Sequence, residues 1–185
     1  MTNEPIKNQT NAGFRPELFA AQAQKASAGK ALPPVELWNP EFCGHIDMHI
    51  KRDGSWDYMG SPISRQRMVK LFSTILRRDD DGFYLVTPVE KVGIKVDDAP
   101  FVVVEMTMDG DQILFRTNVD DFVKVDKDHK IWVEMKDGQP APYVRVRGRL
   151  DALINRNVYY QLADMAVEYQ GSYGVWSDGQ FFKLE

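Results

Sequence analysis

The period of the apolar residues changes repeatedly along this chain. Over residues 45–51 it is two, with Ile46, Met48 and Ile50 on one face and His45, Asp47 and His49 on the other, which predicts a half-buried strand. Asp53-Gly54 follows, and Trp56–Met59 reads as a second strand. Gly60-Ser61-Pro62 resets the backbone, after which Met68, Leu71, Phe72, Ile75 and Leu76 fall on one face of a helix. Strands are expected over 83–87, 92–96, 101–106, 112–117, 122–125, 130–136 and 143–147. A second helix is expected over Leu150–Val167, and strands at 173–176 and 180–184 close the chain as a hairpin. Upstream, residues 1 to about 13 are polar and aperiodic. Arg15–Ala28 is Ala/Gln-rich and reads as a weak helix, with Leu18 and Phe19 its only large apolar residues. Gly29 to Pro34 then breaks it, Pro33-Pro34 imposing an extended linker.

Asp-Gly occurs five times, at 53–54, 81–82, 109–110, 137–138 and 178–179, and the first four pairs are 28 residues apart. Such pairs supply the positive-φ residues of tight hairpins, so the chain reads as a meander of short antiparallel strands. Laid on itself, the chain also repeats. Residues 46–54 resemble 131–138, Ile63-Ser64-Arg65 aligns with Ile154-Asn155-Arg156, and the apolar helix positions fall on Tyr159, Leu162, Ala163, Ala166 and Val167. Ile94-Lys95-Val96 then echoes Phe182-Lys183-Leu184. Asp-Gly hairpins converge on similar patterns, but the helix match goes beyond turn chemistry. The expected fold is α+β, with two similar modules of antiparallel strands, one helix in each, as a duplicated core. A second echo, between 95–106 and 124–135, blurs the boundary. The expected division is a flexible segment at 1–34 containing the weak helix, an N-terminal module at 35–97 and a C-terminal module at 98–185. The repeat unit in the last is about 130–185, with 98–129 as extra strands.

Composition narrows the function classes only a little. With 43% hydrophobic and 27% charged residues, the 185-residue chain can bury one sizeable core or two small ones. Its 23 basic and 27 acidic side chains give a net charge of −4, which argues against non-specific nucleic-acid or anionic-membrane binding. Cys43 is the single cysteine, so no internal disulfide forms. The polar start lacks signal-peptide character, and no apolar run approaches the roughly 20 residues of a membrane span. A reduced, cytoplasmic setting is expected; oligomeric state is not legible.

No nucleophile elbow, phosphate loop or dinucleotide fingerprint is present. His45, Asp47 and His49 share a strand face and have ligand-like spacing for zinc or iron, although the same pattern arises when Ile46, Met48 and Ile50 simply face the core. Neither Asp79-Asp80-Asp81 nor Asp126-Lys127-Asp128 has calcium-loop spacing. The arginines are more suggestive. Arg65 and Arg156 occupy equivalent first-turn positions, where a cation opposes the helix dipole. Arg145, Arg147 and Arg149 follow Pro142-Tyr143, a row suited to a phosphate, a carboxylate or an acidic segment, or else to strand-face ion pairs.

Several of these stretches are motifs in combination. Ile46-Asp47-Met48, Asp53-Gly54-Ser55-Trp56, Gly60-Ser61-Pro62-Ile63-Ser64-Arg65, Leu85-Val86-Thr87-Pro88-Val89-Glu90-Lys91, Val96-Asp97-Asp98-Ala99-Pro100-Phe101, Thr117-Asn118, Pro142-Tyr143-Val144-Arg145-Val146-Arg147 and Arg156 together resemble the bacterial family catalogued as domain of unknown function 1285. The resemblance spans about residues 33–185; His49 departs from it, standing where many relatives are expected to carry arginine. It implies a duplicated core, a C-terminal half like a pleckstrin-homology barrel, and a ligand or partner site between the halves linked to signal transduction. It brings no established activity.

The resulting expectation is a non-catalytic protein that binds a small anionic ligand or a protein partner, without cofactor, metal, nucleic acid or membrane insertion. Its expected site residues are Trp56, Arg65, Thr117, Asn118, His129, Tyr143, Arg147 and Arg156, with arginines pairing an anion, Asn118 hydrogen-bonding it and Trp56 and Tyr143 giving flat contact area. The rival is a metal- or His-dependent hydrolase using His45, Asp47, His49 and His129.

Overall fold

In the computed structural model of the protein, residues 13–28 and 32–185 are described. The polar lead and the Gly29-Lys30-Ala31 part of the expected linker lie outside them. The described residues form two compact units, one of those up to residue 50 with 55–96 and one of 51–54 with 97–185.

In the first unit, helix α1 (Pro16–Ala26) opens on proline, places Glu17 in its first turn and Lys25 in its last, and buries Phe19 and Ala23 four residues apart. Phe19 meets the Phe72 ring at 6.4 Å. A short 3-10 turn at Val35–Leu37 follows Pro33-Pro34, and Arg77, itself buried, donates to the Val35 and Trp38 carbonyls at 2.9 and 2.7 Å. The strands are β1 (Phe42–Ile50), β2 (Trp56–Tyr58), β3 (Ser61–Pro62), β4 (Leu76–Arg78), β5 (Phe83–Val86) and β6 (Lys91–Val96), with helix α2 (Gln66–Thr74) between β3 and β4. As the alternation requires, Ile46, Met48 and Ile50 are buried.

Helix α2 is shorter than its apolar period suggests. Ser61-Pro62 pairs with β2, and the Ser73 and Thr74 hydroxyls donate back to the Lys70 and Leu71 carbonyls at 2.6 Å as the helix ends. Ile75 and Leu76 nevertheless stay in the core, Leu76 as the first residue of β4. Arg65 is therefore the residue before the helix, with extended backbone at φ −80°, rather than part of its first turn.

The second unit contains β7 (Phe101–Asp109), β8 (Gln112–Thr117), β9 (Phe122–Lys124), β10 (Ile131–Lys136), β11 (Gln139–Arg147) and β12 (Leu150–Ile154), then α3 (Arg156–Asp164), β13 (Val167–Tyr169), β14 (Ser172–Ser177) and β15 (Gln180–Lys183). The expected helix over 150–167 is thus corrected. Leu150–Ile154 is a central strand between β11 and β7, buried at every position but Leu153, with Asp151 paired to Arg145, and this burial on both faces leaves no period to separate it from a buried helix. Arg149 lies in the turn after β11, not on the strand.

The architecture is α+β with a duplicated core. The first sheet runs β3-β2-β1-β6-β5-β4, and the second runs β9-β8-β7-β12-β11-β10, the same order, with β1·β6 and β7·β12 as the parallel joints. The described chain is in effect a series of three-stranded meanders. Four pair off into the two six-stranded sheets, and β13-β14-β15 forms a third, separate sheet. Chain order supplies a second correspondence, because three strands, a helix and three strands occur over 42–96 and again over 131–183. The strands of 98–129 are half of the second sheet rather than additions to it. All five Asp-Gly pairs join adjacent strands, and the 28-residue spacing of the first four is the repeat of the meander. At Asp137-Gly138, φ is 51° and 75°, the two positive values of a primed turn.

Candidate functional site

The start of α3 shapes a pocket in the second unit. Asn155 caps the helix by accepting from Val158 N at 2.9 Å, and Val158 and Leu162 turn into the core. Arg156 and Tyr160 are left exposed on the other side, while Tyr159 is half-buried and donates its hydroxyl to Leu184 O at 2.9 Å. Burial raises the Tyr159 pKa, so its phenol stays neutral. These side chains, with Arg52 and Lys136, line a cavity of about 330 Å³ whose apolar floor includes Pro140, Ala141, Pro142 and Leu153. Arg156 makes no ion pair among the described residues.

Behind Lys136 lies a polar network. Its ammonium donates to Asp98 Oδ1 at 2.7 Å and to the Tyr143 hydroxyl at 2.6 Å, and Tyr143 donates to Asp98 Oδ2 at 2.8 Å. Arg52 Nε stands 3.6 Å from the same carboxylate, whose side chain is 11% exposed. Burial works against the Lys136 charge, but the Asp98 carboxylate and Tyr143 outweigh it and hold its pKa above the ordinary range. The Tyr143 pKa is also raised, by burial first and then by Asp98, with Lys136 opposing. At neutral pH the lysine is charged and the phenol neutral, so neither group is poised to move a proton. Lys136 also stands 3.6 Å from Glu134 Oε2, so Arg52, Lys136 and Arg156 face two carboxylates, of which Asp98 is the more buried.

The other expected residues are distributed differently. Tyr143 belongs to the network but is buried, stacked on Trp132 at 5.7 Å and 24°. Trp56 is 2% exposed and stacks on Phe72 in the first unit, so its flat face is occupied by the core. Thr117, Asn118 and Arg147 meet around one turn of the second unit. The Thr117 hydroxyl accepts from Asp121 N at 3.1 Å, and Arg147 pairs with Asp121 while lying over Phe101 at 4.9 Å. Asn118 accepts from Val102 N at 2.9 Å and donates to Gly54 O at 3.1 Å. His129 contacts Asp126 through Nδ1 at 3.0 Å and closes its own loop. Arg65 lies exposed in the first unit, beside shallow cavities lined by α1 and α2 residues. The His45 ring covers Gly93, and among the described residues no group of three or more His, Cys, Asp and Glu side chains is arranged to hold a metal ion.

Sequence reasoning did not single out Asp98, Arg52 or Lys136. Asp98 stands in one of the quoted motifs, and nothing local links it to a lysine 38 residues on.

Family models match the chain twice, the N-terminal domain of DUF1285, a domain of unknown function, at residues 33–99 and its C-terminal domain at 100–184. The chain belongs to the DUF1285 family. It is 49% identical to a DUF1285 family protein from Silicibacter pomeroyi DSS-3 whose crystal structure superposes with a TM-score of 0.81, over 90% of this chain and 93% of that one. A second DUF1285 family structure, from Shewanella baltica OS155, is 27% identical with a TM-score of 0.54, over 63% of this chain and 90% of that one. No curated protein matches. Among the described residues, no helix is long and apolar enough to cross a membrane.

Proposed function

We propose that this DUF1285 protein binds a small anionic ligand, or an anionic group of a partner, in the cavity at the start of α3, and that it does so without catalysis, as a signalling module would. The observation that carries this reading is the convergence of Arg52, Lys136 and Arg156 on one cavity, Arg156 having no ion pair among the described residues. A guanidinium without a carboxylate beside an apolar floor suits a phosphate or carboxylate attached to a small apolar body. A cavity of about 330 Å³ is at the small end of ligand sites. The exposed Tyr160 ring offers a stacking surface at the rim.

The test is a thermal-shift screen of phosphorylated and carboxylated metabolites, followed by calorimetry. A ligand at 100 times its Kd adds about 2.7 kcal/mol of stability. Arg156→Ala and Arg52→Ala are each expected to abolish the response, Arg156→Ala with stability within about 0.5 kcal/mol of the parent as for an exposed position, and Arg52→Ala with a loss of no more than about 1 kcal/mol from its exposed pair with Asp98. A panel without a responding anion, or a response that survives both substitutions, would refute the assignment.

A further inference from the structure

A larger cavity lies within the first unit, between α1 and α2, and the way α1 packs leaves it open. Phe19 and Ala23 turn into the core, Phe19 against Phe72, and the Thr87 hydroxyl donates to Gln22 Oε1 at 3.1 Å. The next ridge of the helix is Ala20 and Gln24, four residues apart. On α2 the core takes Val69, Phe72 and Ser73, which leaves Met68 and Leu71 half-buried. Ala20 offers only a methyl group, so the two ridges meet incompletely. Between them is a groove of about 610 Å³, lined by Ala20, Gln24, Met68 and Leu71 together with Arg65 and Arg67.

Its charge differs from that of the cavity beside α3. Arg65 and Arg67 are exposed and make no ion pair among the described residues, and no carboxylate side chain lines the groove. Helix α2 contains neither Asp nor Glu. Glu17 of α1 lines an adjoining cavity of about 320 Å³ that shares Arg65 and Met68, and there it raises the Tyr58 pKa, after burial as the larger cause. An anion is therefore favoured on the Arg67 side of the groove and opposed on the Glu17 side.

Size and lining decide the occupant. A volume of about 610 Å³ lies mid-way in the range of about 300–1,000 Å³ for small-molecule sites. A protein partner draws on about 20–30 residues from each side, and this groove has seven. No aromatic ring lines it, so it has no stacking surface for a nucleotide or another planar anion. Its apolar surface is aliphatic, and an unbranched, polarizable methionine adapts to a flexible chain. Two guanidinium groups at one opening suit a carboxylate, to which each can donate in bidentate form.

We propose that the α1–α2 groove binds a free single-chain aliphatic carboxylate, its headgroup held between Arg65 and Arg67 and its chain laid along Ala20, Met68 and Leu71. The net charge of −4 opposes use of the same groove on an anionic bilayer. The test uses the full chain with ¹³C-methyl methionine, titrated with hexanoate, octanoate and decanoate below their micellar concentrations. Octylammonium and 1-octanol serve as the cationic and neutral counterparts of octanoate. The Met68 methyl signal, assigned by its loss in Met68→Leu, is expected to shift with the carboxylates. Affinity is expected to rise at least tenfold from hexanoate to decanoate, a fully buried methylene being worth about fourfold. Arg65→Gln with Arg67→Gln is expected to weaken decanoate binding at least tenfold. Ala20→Leu, which keeps a strong helix former in α1, is expected to block binding by filling the groove. The arginine pair is at the surface, so it decides the question even where Ala20→Leu disturbs the packing of α1. Arg52→Ala and Arg156→Ala are expected to leave this binding unchanged, and a loss in either would assign the response to the cavity beside α3 and overturn the proposal. It is overturned equally by no Met68 shift, by equal binding of octylammonium or 1-octanol, by affinity independent of chain length, or by parent-like binding in the arginine variant. Co-pelleting with phosphatidylglycerol vesicles, or self-association in sedimentation, that the arginine variant abolishes would assign the groove to a membrane or a second copy and overturn it as well.

Discussion

Arg147 is the residue for which the structure makes the sharpest energetic statement. Its guanidinium pairs with Asp121 and lies over the Phe101 ring at 4.9 Å, the two side chains being 20% and 26% exposed. Fully buried pairs cost about 3–5 kcal/mol when one partner is removed, and fully exposed pairs about 0–1. With about three-quarters of each group covered, Arg147→Ala is expected to cost about 2–3 kcal/mol, including about 0.5–1 kcal/mol from the ring contact. For a chain of this length that is a drop of about 4–12 °C in Tm. Arg147→Lys keeps the charge but loses the planar fork, so it should recover only part of the loss. Urea unfolding of Arg147→Ala, Asp121→Ala and the double variant closes a cycle, with the double variant expected to lose about 1–2 kcal/mol less than the sum. If Arg147→Ala stays within about 0.5 kcal/mol of the parent, or if the two losses simply add, the pair is not structural.

Three further outcomes can be checked on simple variants. A Cβ at Gly93 would lie 2.4 Å from His45 Cδ2, and because that ring is at the surface and can swing away, Gly93→Ala should cost only about 1–2 kcal/mol, mostly restored in unfolding experiments by adding His45→Ala. The Tyr84 pKa is pushed up to about 12, by burial first and by its hydrogen bond to Asp81 second. A raised pKa means the contribution is complete below the ordinary value of 10.0 and is lost as pH rises toward 12, so phenolate absorbance should show one late-titrating tyrosine that Tyr84→Phe removes together with the alkaline loss of stability. Asp79 has the opposite sign. Its pKa is lowered, chiefly by the Arg77 hydrogen bond, so its contribution is present above 3.8 and lost as pH falls below it, and Asp79→Asn should flatten the acid limb of the denaturation profile.

The turns were the most legible part of this chain, because positive φ is a local demand that Asp-Gly meets locally. The duplication could be read from the match of 46–54 with 131–138 and of the two helices, a pairing that chain order keeps, whereas the second sheet takes β7-β8-β9 as its other half and leaves β13-β14-β15 apart. The Leu150–Ile154 strand could not, since a central strand covered on both faces shows neither period. Among site residues, Arg156 was visible as a cation at a helix start, and it does line a cavity. Its companions were hidden for a topological reason. Arg52 precedes β2, Asp98 precedes β7 and Lys136 ends β10, and only the sheet order β10-β11-β12-β7 determines that Lys136 and Asp98 meet.

The meander explains why the chain departs from regularity where it does. A three-stranded meander is close to the smallest sheet that is stable in water, and only with its apolar face covered. Four meanders meet this demand by joining in pairs through β1·β6 and β7·β12, which also removes one open edge from each. The β13-β14-β15 meander has no such joint among the described residues. It covers one face with Val175 and Phe182 and braces the other with three mutually packed rings, Gly174 making room for Phe181. Rings that brace a small sheet must be large and rigid, and on an outer face they are then half in water. The structural solution for the meander that no other meander joins therefore leaves Tyr169 and Trp176 half in water on its outer face.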